Sequence, residues 1–189
     1  MPAEADALRA AVDLLHLPTR MRALKAAPLP RGVPLLLGVV AGDRDAEREA
    51  ARLVDRPADV VRTAATFFVE QILLDADADS YRVLGAGPQA TNEELRRNMA
   101  LLMRWLHPDM DRRDERSLFV SRVTLAWEDV KTPDRRAAYD GKRRARSAGR
   151  AAKAPRSRSV RPRARFDDGE VRGGLVRRAL SLLFGRAKY

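Results

Sequence analysis

The chain has 189 residues, 45% hydrophobic and 5% aromatic, no cysteine, and a formal net charge of +11. That length suits one ordinary domain, or two small ones with a tail, and few aromatics point to a helical core of Leu, Val and Ala. The missing cysteine excludes disulfides, thiolate zinc sites and cysteine nucleophiles, and the charge is uneven: residues 141–189 hold 16 Lys+Arg against 3 Asp+Glu, a tail of +13 behind a body of −2.

Leu8, Val12 and Leu15 recur at helical spacing over residues 3–16, and Pro18 ends that pattern. His16 has no acidic or histidine partner at ligand spacing and is read as structural or solvated. Residues 20–27 suit another short helical turn, and the crowding of Pro28, Pro30, Gly32 and Pro34 reads as a rigid connector. A short apolar helix is expected from Pro34 through Leu35, Leu36, Leu37, Val39 and Val40. The run is too short to span a bilayer, and the first residues lack the pattern of a secretory signal, so a cytoplasmic location is expected.

Asp43 can cap the next helix, with Ala46, Ala50 and Leu53 on one face. The alternation of Asp43, Asp45 and Glu47 lacks the glycine and terminal glutamate of a calcium loop, so it is read as a capped helix start. Pro57 opens a longer helix whose Val60, Val61, Ala64, Phe67, Phe68 and Ile72 form a stripe for burial. These segments, residues 1–77, are expected to pack as a small helical bundle.

Thr91 and Glu94 offer a capping box for a helix reaching to about Leu106. Leu95, Met99, Leu102 and Leu106 form its apolar stripe, with Arg96, Arg97 and Arg104 largely off it. His107-Pro108-Asp109 breaks the pattern, since proline stops helices and aspartate favours turns. Phe119, Val123, Trp127 and Val130 then mark a second stripe, and two stripes joined by a short loop predict an antiparallel helical hairpin. Thr132-Pro133-Asp134 stops the hairpin and can start a short last helix over residues 135–140.

Six groups of residues in this region match, in order, a known pattern. They are Ser80-Tyr81-Arg82-Val83-Leu84-Gly85, Glu93-Glu94-Leu95-Arg96-Arg97, His107-Pro108-Asp109, the set Phe119, Val123, Ala126 and Trp127, then Thr132-Pro133, and Arg135-Arg136-Ala137-Ala138-Tyr139-Asp140. With these groups, residues 78–141 resemble a J domain, the DnaJ-family module that activates DnaK-type chaperone ATPases. The resemblance covers about a third of the chain and implies a co-chaperone, with His107, Pro108 and Asp109 required for stimulating ATP hydrolysis on the partner. Arg96, Arg97 and Arg104 would steer the module toward an acidic groove. The chain departs from the family at Met99, Ala100, Leu101 and Leu106, where an aromatic, further basic residues and a tyrosine are usual, so the basic face is thinned.

The family's zinc-binding cysteine repeats and Gly/Phe-rich region are absent, which implies a specialised client or site. No nucleophile motif, phosphate-cradling glycine loop or further metal ligands accompany His107 and Asp109, so neither intrinsic catalysis, a cofactor nor a metal is expected. A J-like adaptor that binds without activating the ATPase is the alternative.

Residues 142–170 hold Arg, Ala, Ser and Pro with almost no large apolar side chain and are expected to be a flexible, extended linker. Residues 171–189 set Leu175, Val176, Ala179, Leu180, Leu182, Leu183 and Phe184 on an apolar arc opposite Arg177, Arg178 and Ser181. Such a basic amphipathic helix suits an anionic membrane surface, as a tether at its inner face, or a protein groove. Nucleic acid ranks third for the tail, because only Phe166 is there to stack a base. The expected fold is all-α: a J-domain hairpin preceded by a small helical bundle and followed by a flexible basic tail.

Overall fold

The helices begin and end where local chemistry stops or starts them. In a computed structural model that describes residues 3–107 and 113–153, nine α-helices follow one another, and no strand occurs among the described residues. A 3₁₀ turn at Ala3–Ala5 leads into α1 (Asp6–His16), and a second at Pro18–Arg20 leads into α2 (Met21–Ala26). The apolar α3 (Val33–Val40) begins one residue before the expected Pro34. α4 (Arg44–Val54) is capped as its sequence implies, the Asp43 carboxylate accepting from the Asp45 and Ala46 amides at 2.9 and 3.2 Å.

α5 (Ala58–Phe68) continues into one π-helical stretch, Val69–Leu73. The remaining helices are α6 (Ser80–Val83), α7 (Asn92–Trp105), α8 (Arg113–Val130) and α9 (Pro133–Lys153). None of the helices among the described residues is long and apolar enough to cross a membrane.

α3 organises the packing. Val33, Leu36, Leu37, Val39 and Val40 are all buried, and an eight-residue helix that is apolar on nearly every side has to be covered on nearly every side. α1, α4 and α5 pack on it, and so does α7. The amino-terminal helices and the hairpin therefore share one core, in which Leu36, Leu37, Phe68 and Leu73 belong to the same cluster as Tyr81, Leu84, Leu95 and Leu102.

Close approach at α3 needs residues without side chains. A Cβ on Gly38 would lie 2.9 Å from the Ala46 Cβ of α4. Gly85, just past α6, has φ +63°, and a Cβ there would lie 2.9 Å from Val33 Cγ1 and 3.1 Å from Leu37 Cδ1.

Polar ties reinforce the junction. Lys25 of α2 pairs with Asp75 at 2.6 Å, and Arg82 of α6 donates to the carbonyls of Leu24 and Ala27. Arg122 of α8 donates to the Leu74 carbonyl. Each guanidinium satisfies a carbonyl at the end of another element, where no helical partner exists.

The carboxy-terminal helix corrects two expectations. A short helix over residues 135–140 and an extended chain from residue 142 are replaced by one helix of 21 residues reaching Lys153. Low apolar content argues against a packed core, but it does not argue against a helix. Ala, Arg and Lys are strong helix formers, and adding residues to a helix already nucleated and anchored costs far less than starting one. The rest of the linker, 154–170, and the amphipathic segment 171–189 lie outside the described residues.

Gly85→Ala is expected to lower stability by about 2 kcal/mol or more, combining left-handed strain with overpacking against α3; urea unfolding followed by circular dichroism measures it. The Lys25 hydrogen bond holds the Asp75 carboxyl below its ordinary value. Its stabilisation is thus present above about pH 4 and lost as pH falls through the lowered value, amounting to at most about 1 kcal/mol for a partly exposed pair. Urea midpoints of wild type and Asp75→Asn should differ at pH 7 and converge only once the pH has fallen below the lowered value of the Asp75 carboxyl.

Candidate functional site

α7 carries the cationic residues singled out in the sequence, and its start is fixed locally. The Thr91 hydroxyl accepts from the Glu94 amide at 3.1 Å, and the Glu94 carboxylate accepts from the Thr91 amide at 2.7 Å. That amide holds the Glu94 carboxyl below its ordinary value. From this start the helix buries Leu95, Asn98, Leu102 and Trp105, with Leu106 buried just beyond.

Arg96, Arg97, Ala100 and Arg104 are exposed. At 100° per residue these four fall within about 100° of the helix circumference. The three arginines thus form one face with Ala100 among them, which is the gap noted in the sequence. His107 is exposed directly beyond the helix end, its amide donating to the Arg104 carbonyl at 3.3 Å. Pro108 and Asp109, the other two expected site residues, lie outside the described residues.

Two buried residues of α7 were not legible as such. Asn98 is 1% exposed, and its amide donates to the carbonyls of Leu84 at 3.0 Å and Gly85 at 3.3 Å. Two facing carbonyls require the NH₂ end there, and its own Oδ1 has no hydrogen-bond partner in the structure. Trp105 stacks on Phe119 of α8, with ring centroids 6.3 Å apart and an interplanar angle of 22°. Asn98 fastens the middle of α7 to the end of α6, and Trp105 fastens its last turn to α8, so the arginine face is held from behind at two levels. A polar Asn in an apolar stripe gives no sequence signal of burial, and Trp105, at the loop end of the hairpin, stands outside the stripe of Leu95, Met99, Leu102 and Leu106.

α9 is held by a second polar group. The Tyr139 hydroxyl accepts from the Ser80 amide at 2.8 Å, and the Ser80 hydroxyl donates to Asp129 at 2.6 Å. Tyr81, buried, donates its phenol proton to Asp140 at 3.0 Å and accepts from Arg136 Nε at 3.1 Å. The guanidinium groups of Arg136 and Arg143 lie 5.3 and 5.4 Å from the Tyr81 ring centre, and the Tyr139 ring meets it edge-on at 5.7 Å.

Burial, with the Asp140 contact adding, pushes the Tyr81 phenol above its ordinary pKa, while Arg136 opposes that rise. Arg136 also donates to the carbonyls of Pro88 and Ala90. The Arg135 to Asp140 run, matched above as a motif, therefore locks the last helix onto the first helix of the segment.

No cluster of three or more His, Asp or Glu suited to a metal occurs among the described residues. An exposed arginine face ending at a histidine can dock an acidic surface.

Comparison with known proteins agrees with the residue pattern. The DnaJ domain family matches residues 79–140. Two curated sequences named chaperone protein DnaJ, from Latilactobacillus sakei and from Latilactobacillus sakei subsp. sakei strain 23K, are each 36% identical over 62 residues. The aligned region is 33% of this chain and 16% of theirs, so the chain spans only a small part of those relatives. No solved structure matches significantly. Residues 79–140 form a J domain, and every regular element among the described residues is helical.

Tyr81→Phe removes the hydroxyl from both Asp140 and Arg136 and is expected to cost about 1–2 kcal/mol. Hydrogen exchange should show the loss concentrated in the amides of α9.

Proposed function

We propose that the chain is a co-chaperone that docks through its J domain on a DnaK-type chaperone and stimulates its ATP hydrolysis at a specialised client or site. The observation that carries this reading is the J-domain match over residues 79–140, together with the exposed arginine face of α7 that ends at His107. Arg96, Arg97 and Arg104 attract and orient the partner's acidic surface. His107, Pro108 and Asp109 engage the ATPase: a carboxylate can pair with an arginine on it, and the proline ring lowers the ordering cost of docking. The hydrolysis itself takes place on the partner.

Single-turnover ATP hydrolysis by a DnaK-type protein, with wild type, His107→Gln and Asp109→Asn added in turn, tests this. Wild type should accelerate hydrolysis and the two variants should not. Equal rates for all three and for no added protein would sink the activating role and favour an adaptor that only binds. Ala100→Lys fills the gap in the arginine face. It should lower the concentration needed for half-maximal stimulation a few-fold at low salt, with the gain shrinking as salt rises.

A further inference from the structure

The carboxy-terminal half of α9 is a charged surface that the J-domain reading leaves unused. Between Lys142 and Lys153 the helix carries six Lys+Arg and no Asp or Glu, and the sequence continues without an acidic residue to Arg165, for eleven Lys+Arg over residues 142–165. Arg143 is turned back on the body, pairing with Asp79 at 3.3 Å beside the Tyr81 ring. Lys142, Arg144 and Arg146 are exposed and make no ion pair among the described residues.

An extended arginine-rich chain holds nucleic acid best where it can stack bases. A helix can instead lie in a groove and contact phosphates without touching a base. We propose that the carboxy-terminal half of α9 binds the phosphodiester backbone of a nucleic-acid duplex without sequence preference.

Three observations favour a duplex over other anionic partners. At about 100° per residue, Arg144 lies on roughly the opposite side of the helix from Lys142 and Arg146, so the exposed cations point to more than one side. A groove with phosphates along both edges can use them all, whereas a flat surface uses one side. Only Ala, Ser and Gly separate the cations of residues 142–153, which leaves no large apolar side chain to enter a lipid acyl region. An α-helix of about 10–12 Å diameter also fits the B-DNA major groove, about 12 Å wide. With no aromatic residue in residues 142–153, the contact has no stacking component and depends on charge.

The test uses the full chain and fluorescence anisotropy with a labelled DNA duplex of about 20 base pairs and an RNA duplex of the same sequence, from about 50 to 200 mM salt. Vesicles containing phosphatidylserine are the third probe. The expected result is duplex binding that weakens steeply with salt and ignores base sequence, the two duplex arms showing whether DNA or RNA is preferred. The triple variant Lys142→Glu, Arg144→Glu, Arg146→Glu should bind at least about tenfold more weakly and lose about 2–3 from the salt slope.

The corresponding Gln triple, which keeps good helix formers at those positions, should weaken binding in the same direction. No binding of either duplex at the lowest salt, undiminished binding by both triple variants, or tighter binding to vesicles than to either duplex would each overturn the proposal. None of these readouts depends on ATPase stimulation, so the two readings succeed or fail separately.

Discussion

An eight-residue helix with an apolar side chain at seven positions cannot remain at a surface, and the packing of the other helices follows from covering it. α1, α4, α5 and α7 all pack on α3. Because α7 belongs to the J domain, the amino-terminal helices and the J domain have one hydrophobic core instead of two joined by a linker. Gly38 and Gly85 mark close approaches at α3, and at each an added Cβ would lie 2.9 Å from a neighbouring side chain.

That shared core sets the orientation of the candidate docking face. With Leu95, Asn98, Leu102 and Trp105 buried, the 3.6-residue period leaves Arg96, Arg97, Ala100 and Arg104 to solvent. Asn98 and Trp105 then immobilise the middle and the last turn of α7 through different chemistry, one through backbone carbonyls and the other through ring stacking. The Tyr81 group does the corresponding work for α9. Its hydrogen bonds and ring contacts hold the first turns of the helix, from which the cationic half extends.

Local chemistry was legible wherever it decides between helix and no helix. The Asp43 cap, the Thr91 and Glu94 capping box, the Pro18 stop and the Pro133 start each depend on groups a few residues apart, so their partners can be read from neighbouring letters. The resemblance to J domains was equally readable, since it rests on residue groups in order. Less was visible where the partner is distant. The Asn98 amide needs the carbonyls of Leu84 and Gly85, and Tyr139 needs the Ser80 amide 59 residues away. The π-helical stretch at Val69–Leu73 likewise carries no local signal.

The sequence by itself determined the helical class, the caps, the apolar stripes and the identity of residues 79–140, because hydrogen-bonding side chains and periodic burial act over one or two helical turns. The tertiary structure decided that α3 unites two regions read as separate, that Asn98 lies in the core, and that α9 continues to Lys153. Burial and long-range hydrogen bonds depend on which surfaces meet, and that follows from packing instead of from any single segment.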